Sequence, residues 1–521
     1  MLTSLLILTW LAVFTFVWRW MSQQHKFWSD RGVPTFGCTI PFLGNALKFN
    51  FTNSYQITME IIEKHKNDPL LGIYHFTKPN LMVKDLNLIQ HVMIKDFHHF
   101  SDRGIPSDEK NRPFEVNLFT MCGKKWRACR GKFSAMFTTS KVRKMFPLMK
   151  DLAKVLLQVV DKNGEAIDLK EPFLQYALDV VASTAFGMDT KILTEEKESE
   201  FRRMIRKNYK MTPKIWLAWI LFDVFPTLAA KLRVHLLRDD VVSYFANIVK
   251  EALANRKNGH IQRDDFLQLM VRLQEQGSLE IEHEDDCDSY LNVQNEDKKT
   301  EHFELTEDIM VGQALLFLTV GNDGTSSTLT SICYEFAMNP EIQEKARAEV
   351  REVLRSSGIL DYESVNKLHY LDQCFKETLR LHPTVPYLIR NCCKEYTFPG
   401  TEISIPAGTR VMIPLVATHM DPELYPDPSK FDPERFAPEM SHPPCSFLAF
   451  GDGPRICLAI KFVMSEMKCV LAKLLMRYRF TMHPSSEVPL KPWLPPAGIG
   501  ASFSSRKTLL FNLETLKDAC C

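Results

Sequence analysis

The chain opens on an unbroken apolar run, Leu2 to Trp18, without a charged residue. As a helix it spans about 26 Å at ~1.5 Å per residue. Arg19, Trp20 and Met21 extend it toward the ~30 Å hydrocarbon core of a bilayer. Trp18 and Trp20 are placed for the membrane interface, with Arg19, His25 and Lys26 just beyond. No charged segment precedes the run and no small-residue cleavage site follows it. That favours a retained transmembrane helix over a removed secretory signal, and the positive charge behind it puts the rest of the chain on the cytosolic side. Residues 1–21 are thus expected to be an anchor and 22–50 a linker. Gly32-Val33-Pro34 and Pro41-Phe42-Leu43-Gly44 within the linker cannot continue a helix.

From residue 51 onward the pattern is that of one large body. Tyr55 to His65 has helical periodicity, and Leu71–Phe76 and Asn80–Lys84 read as short strands. The pattern is mainly helical from Val142 to Phe336, then turns to strands and turns from Phe398 to Pro414. No internal repeat appears. Gln274 to His302 is acidic and poor in apolar residues, as expected of a surface loop. Lys214 to Leu232 is rich in Trp, Leu, Ile and Phe and is broken by Pro226. It suits either a buried helix end or an apolar patch dipping into a membrane surface.

The longest helical segment is Leu305 to Asn339, about 50 Å at ~1.5 Å per residue. Thr306 is a suitable cap, Glu307 and Asp308 fall in the first turn, and Pro340 ends it. Gly321 and Gly324 stand in its middle with Asn322 and Asp323. Each glycine costs about 1 kcal/mol relative to Ala there. Their missing side chains would open a groove for something flat.

Charge narrows the function classes. Lys and Arg total 64 against 63 Asp and Glu, a net +1, so no global basic excess attracts nucleic acid. Thirteen Cys among 521 residues is too dilute for a disulfide scaffold. The 35 Phe supply ample apolar area for a large core.

One cysteine stands apart. Cys457 follows a Gly- and Pro-containing turn, Gly451-Asp452-Gly453-Pro454-Arg455, and precedes an apolar helix, Leu458 to Leu475. A thiolate at a helix N-terminus is stabilised by the macrodipole and by free backbone N–H groups. A single thiolate offered in this way suits an axial ligand to haem iron. Zinc needs further ligands, and none is spaced for it.

The stretch Phe450-x-x-Gly453-x-Arg455-x-Cys457 resembles the haem-binding signature of the cytochromes P450. Upstream, Glu377-Thr-Leu-Arg380 and Pro433-Glu434-Arg435-Phe436 match two further family motifs in the family's order. Glu377 and Arg380 share a helix face, where an ion pair forms. By the resemblance Arg435 joins them and locks the Cys loop, a structural role. Trp126 and Arg130, with Arg390 and Arg455 and more loosely Arg103, match the groups that hold haem propionates. The resemblance covers the whole chain and is greatest to microsomal members of the insect family-six and vertebrate family-three type. Arg263-Asp-Asp-Phe-Leu-Gln-Leu-Met is one characteristic match. It implies a mainly α fold with a small β region, residues 51–521 forming a haem-thiolate catalytic domain, and haem b bound through Cys457.

Two positions depart from the family pattern. Ala459 stands where glycine is usual, which the family tolerates. Gly324 occupies the place of the central helix's threonine, beside the expected acid Asp323. Thr325 comes one residue late, about 100° further round the helix, and faces the same way only if the helix bulges.

The activity implied is monooxygenation of lipophilic small molecules. Cys457 promotes O–O cleavage, and Asp323, Thr325 and water relay protons. Electrons are expected from NADPH–cytochrome P450 reductase, with cytochrome b5 as a further donor. Lys124, Lys125, Arg127, Lys132, Arg143 and Lys144 form a basic patch suited to an acidic partner. The implied location is the endoplasmic reticulum membrane. Thr384–Leu388 and Pro495–Ala501 are candidate substrate-lining segments. Because Gly324 replaces threonine, an isomerase or dehydratase acting on already oxidised lipids remains an alternative, as does a non-catalytic haem-binding protein.

Overall fold

The computed structural model of the protein describes residues 2–105, 109–110, 112–162, 166–195, 197–209, 212–259, 263–280, 302–490 and 508–516. Its architecture is mainly helical with a small β region. The expected helical stretch forms Thr139–Lys162, Lys170–Phe186, Glu200–Tyr209, Asp239–Lys257, Phe266–Glu275 and Glu307–Met338. The last is the central helix. Thr306 caps it, its side chain accepting from the Ile309 N–H, and Pro340 begins the next helix. Most of its length is buried, chiefly against Lys170–Phe186 and next against the strand Tyr478–Met482 and the turn Pro113–Glu115. The apolar core is built around these helices, with Phe133, Phe173, Phe186 and Phe245 fully buried.

The larger sheet is four-stranded, in the order Leu70–His75, Lys78–Val83, Arg410–Pro414, Tyr387–Asn391. The outer pairs are antiparallel, with Leu70 opposite Val83 and Arg390 opposite Val411; the central pair is parallel, Leu81 opposite Val411. This register places Arg390 at the end of a strand whose next residue, Asn391, bonds the Asp102 carbonyl.

The 22–50 segment is packed rather than free. Trp28 is fully buried, and a Cβ at Gly72 would lie 2.4 Å from its ring. Glycine is therefore required where the linker crosses the sheet edge. Ahead of it, Leu2–Gln24 is one helix, with Leu8, Trp10, Phe16, Trp18 and Trp20 exposed. Among the described residues no helix is long and apolar enough to cross a membrane. The side chains of residues 2–7, 11, 13, 14, 17 and 21, on which the expected anchor depends, lie outside the described residues.

Lys214–Leu232 folds into two short helices, Pro213–Val224 and Pro226–Lys231. The pair has one buried side and one exposed apolar side. Ala218, Phe222 and Ala229 are buried, whereas Leu217, Phe225, Leu228 and Leu232 are exposed. The Trp216 ring meets Phe51 at 5.7 Å, and Phe51, Leu47 and Ile40 are themselves exposed. One apolar surface thus joins the linker's end to this helix pair. The acidic stretch lies mostly outside the described residues; its ends pair as the strands Ser278–Glu280 and His302–Glu304.

Candidate haem-thiolate site

The Cys457 turn is held by its backbone. Gly451 and Gly453 both adopt the left-handed conformation, at φ 73° and 66°. The Cys457 N–H bonds the Phe450 carbonyl at 2.9 Å, and Asp452 accepts from the Gly453 N–H. A Cβ at Gly453 would lie 2.0 Å from the Met93 carbonyl oxygen, so only glycine lets the two segments meet. The turn delivers Cys457 just ahead of the helix Ile460–Arg477. Cys457 keeps an accessible face, yet burial raises its thiol pKa. It opens onto an interior space and not onto bulk solvent. The Ala459 N–H and the charges of Arg130 and Arg103 oppose that rise, as expected for a thiolate at a helix N-terminus.

The supporting ion-pair cluster assembles as the motifs imply. Glu377 and Arg380 are both wholly buried. Arg380 Nε and Nη2 donate to the two Glu377 carboxylate oxygens at 2.7 and 2.8 Å. Arg435 Nε lies 3.4 Å from Glu377 Oε1, and the Asp432 N–H donates to the same oxygen. Arg380 also reaches the His419 carbonyl at 2.8 Å. The cluster therefore ties the His369–Leu381 helix to the chain entering the Cys turn.

Arg103, Arg130, Arg390 and Arg455 come from a loop, the Trp126 helix, the sheet and the Cys turn. Arg455 lies 4.0 Å over the Trp126 ring and donates to the Ser101 and Met121 carbonyls at 2.8 and 2.7 Å. Arg130 donates to the Ile456 carbonyl, and Arg103 to that of Phe119. Burial lowers each guanidinium, and crowding lowers several further. Arg390 falls to about 9, with Arg103 contributing, and Arg103 to about 10, with Arg130 contributing. Arg455 is pushed well below its usual value by burial and by Arg103. Asp102 approaches Arg455 only at 3.9 Å, and the buried Arg390 Nε has no hydrogen-bond partner among the described residues. Such a surplus of buried positive charge calls for an anion. A group carrying two carboxylates beside a thiolate-bound metal fits it, as haem does.

The middle of the central helix has an accessible face of its own. Val320 is 63% exposed within an otherwise buried helix, and Leu316, Asp323 and Gly324 on the same face are partly accessible. The two glycines differ. A Cβ at Gly321 would lie 2.9 Å from Val181, so that glycine serves helix packing; at Gly324 the nearest atom would be Thr384 Cγ2, 3.9 Å away. The groove expected from both belongs to Gly324 alone. Thr325 is 2% exposed, and its hydroxyl donates to the Gly321 carbonyl at 2.9 Å. The helix is uninterrupted α-helix through it, so the bulge that would turn Thr325 to the accessible face is not present.

A cavity of about 150 Å³ adjoins this face, lined in part by Phe114, Phe119, Thr120, Asn208, Leu316 and Thr319. Sequence patterns gave no sign of its roof. Gln313, fully buried, accepts from the Leu118 N–H and donates to the Val116 carbonyl. Glu115 pairs with Arg112 at 2.8 Å and accepts from the Leu236 and Leu237 N–H groups. A glutamine in an apolar helix was the available signal, since a buried amide must find partners. Pro495–Ala501 lie outside the described residues.

In the basic patch, Lys125 pairs with Glu109 and Arg143 with Glu363. Lys132 and Lys144 are exposed.

Comparison with known proteins agrees with this geometry. The cytochrome P450 family model matches residues 34–502. Probable cytochrome P450 6a13 of Drosophila melanogaster is 33% identical, over 99% of this chain and 98% of its own length. Cytochrome P450 6k1 of Blattella germanica is 32% identical, over 94% and 93%. Cytochrome P450 6d3 of Musca domestica is 31% identical, over 97% and 99%. With the family model matching most of its length and relatives above 30% identity over nearly all of it, the chain belongs to the cytochrome P450 family, monooxygenases that bind haem through a cysteine thiolate.

Proposed function

We propose that this chain is a membrane-anchored monooxygenase of lipophilic small molecules in which Cys457 is the axial ligand. Residues 1–21 are its anchor, 22–50 its linker and 51–521 its catalytic domain. The observation that supports the assignment is Cys457 beside the charges of Arg103 and Arg130, themselves in a cluster with Arg390 and Arg455. Arg103, Arg130, Arg390 and Arg455 bind the propionates, with Trp126 beneath Arg455. Phe450 and Gly453 shape the turn, while Glu377, Arg380 and Arg435 hold it. Haem, when bound, supplies the redox chemistry that splits O₂.

The balanced reaction is RH + O₂ + NADPH + H⁺ → ROH + H₂O + NADP⁺. Electrons come from NADPH–cytochrome P450 reductase, with cytochrome b5 as an auxiliary donor, docking on the basic patch around Trp126. Asp323, on the accessible face of the central helix, takes part in delivering protons. Phe114, Phe119 and Leu316 exclude water from an apolar substrate, and Asn208 and Thr319 orient a polar group on it. The exposed Leu217, Phe225, Leu228 and Leu232, continuous with Phe51 and Leu47, rest on the endoplasmic reticulum membrane that holds the anchor.

Cys457→Ser is expected to abolish the thiolate-type spectrum of the reduced, carbon monoxide-treated protein. Retention of the unmodified protein's band would overturn the ligand assignment. NADPH-dependent turnover of a lipophilic substrate panel with the reductase tests the activity. The open space at Gly324 favours one second reading, an isomerase or dehydratase of oxygenated lipids. Rapid hydroperoxide conversion without NADPH, in a protein inert with the reductase, would establish it. Asn50-Phe51-Thr52 is a formal glycosylation acceptor; on a cytosolic domain it stays unmodified in microsomes, and glycan on Asn50 would reverse the topology.

A further inference from the structure

At position 324 itself the central helix carries no hydroxyl, and Ser327, one turn further along that face, is buried at 3% exposure with its Oγ unpartnered among the described residues. Thr325 is turned away and bonded to Gly321. The hydroxyl of Thr328 is likewise spent, on the Gly324 carbonyl at 2.8 Å. What faces Gly324 comes from another part of the chain. Thr384 Cγ2 is the nearest atom to the position a Gly324 Cβ would take, at 3.9 Å. A threonine side chain places Oγ1 and Cγ2 on one carbon, so a single rotamer step exchanges them. The Thr384 hydroxyl makes no hydrogen bond among the described residues.

The segment bearing Thr384 is firmly held. His382, two residues before it, pairs with Glu335 of the same central helix at 2.6 Å, both buried. Two residues after it, the Pro386 carbonyl accepts from the Leu415 N–H. Pro383 and Pro386 restrict the backbone on either side. Thr384 is thereby fixed opposite Gly324 by contacts that leave its own side chain uncommitted.

We propose, resting on the monooxygenase reading, that Thr384 supplies from the facing segment the hydroxyl that the central helix lacks at Gly324. Its Oγ1–H donates into the groove above the haem site and passes a proton from water toward the oxygen that leaves as water. Thr384 regains its proton from the same water chain, so it is unchanged over a cycle. When this delivery fails, electrons and protons are lost as O₂ + NADPH + H⁺ → H₂O₂ + NADP⁺. Glycine at 324 is then the clearance for a donor reaching across, and not a lost function.

The test uses the full-length holoenzyme with its reductase. Thr384→Val keeps the shape and removes the hydroxyl. It should raise peroxide released per NADPH about tenfold, since water retains part of the 10²–10⁴-fold value of a placed donor. Thr384→Ser should behave as the unmodified protein. Gly324→Thr, for which the structure has room, should restore the low peroxide yield in the Thr384→Val background. A purely structural role for Thr384 predicts no such rescue. Unchanged peroxide in Thr384→Val, or failure of the rescue while unmodified protein forms product normally, would overturn the proposal. If the unmodified protein forms no product with NADPH, the monooxygenase reading fails instead. The resting ferric spectrum then still decides on Thr384: its low-spin share falls in Thr384→Val and returns with Gly324→Thr, or the proposal is wrong.

Discussion

Replacing Glu377 by Leu would test whether the buried ion-pair cluster holds the Cys turn. The substitution removes both Arg380–carboxylate bonds, at 2.7 and 2.8 Å, the Arg435 approach at 3.4 Å and the Asp432 N–H bond at 3.0 Å. Arg380 stays wholly buried with carbonyl partners at His419 and Lys430 alone. Its charge then has no counter-ion in a site closed to water. Breaking a buried pair from one side costs about 3–5 kcal/mol. At ~2.1 cal/mol/K per residue, a chain of 521 residues unfolds with about 1.1 kcal/mol/K. The melting temperature should therefore fall by about 3–5 °C, and haem content should fall with it as the Cys turn loosens. Removing both partners with Glu377→Leu and Arg380→Met takes the stranded charge away and should recover part of the loss. Calorimetry on the single and double variants reads both effects. A single variant that melts with the unmodified protein, or a double variant worse than the sum of its singles, would refute the reasoning.

Two further outcomes follow from close contacts and burial. Gly453→Ala introduces a Cβ 2.0 Å from the Met93 carbonyl oxygen at φ 66°, so it should cost more than the ~1–2 kcal/mol of the left-handed conformation alone; equal stability and haem retention would exclude the contact. Glu466 is wholly buried with both carboxylate oxygens unpartnered among the described residues, and burial raises its pKa well above the usual value. The folded state then holds a proton that the unfolded state releases, so stability is full at low pH. It declines by up to about 1.4 kcal/mol per unit as pH rises from the ordinary carboxylate range toward the raised value. Glu466→Gln should flatten that part of the melting-temperature profile, and superimposable profiles would show that Glu466 does not titrate there.

Much of the framework was legible along the chain because its causes are local. Thr306 and Pro340 bound the central helix through capping and a missing N–H, effects that act within one turn. The strands at 70–75 and 78–83 appeared within two residues of the expected positions. The Gly451–Arg455 turn before an apolar helix marked Cys457, and the i, i+3 spacing of Glu377 and Arg380 foretold their pair. Tertiary packing decided the rest. Arg103, Arg130, Arg390 and Arg455 lie up to 352 positions apart, and only the folded chain brings their charges close enough to depress one another. Gly321 and Gly324 look alike in sequence, yet Val181 fills the space beside one while the other faces Thr384. Thr325 is one residue from the expected place, and an unbroken helix turns it inward to Gly321. A periodic pattern states how far apart two side chains point on one element; which distant segment comes to face each of them depends on how the elements pack.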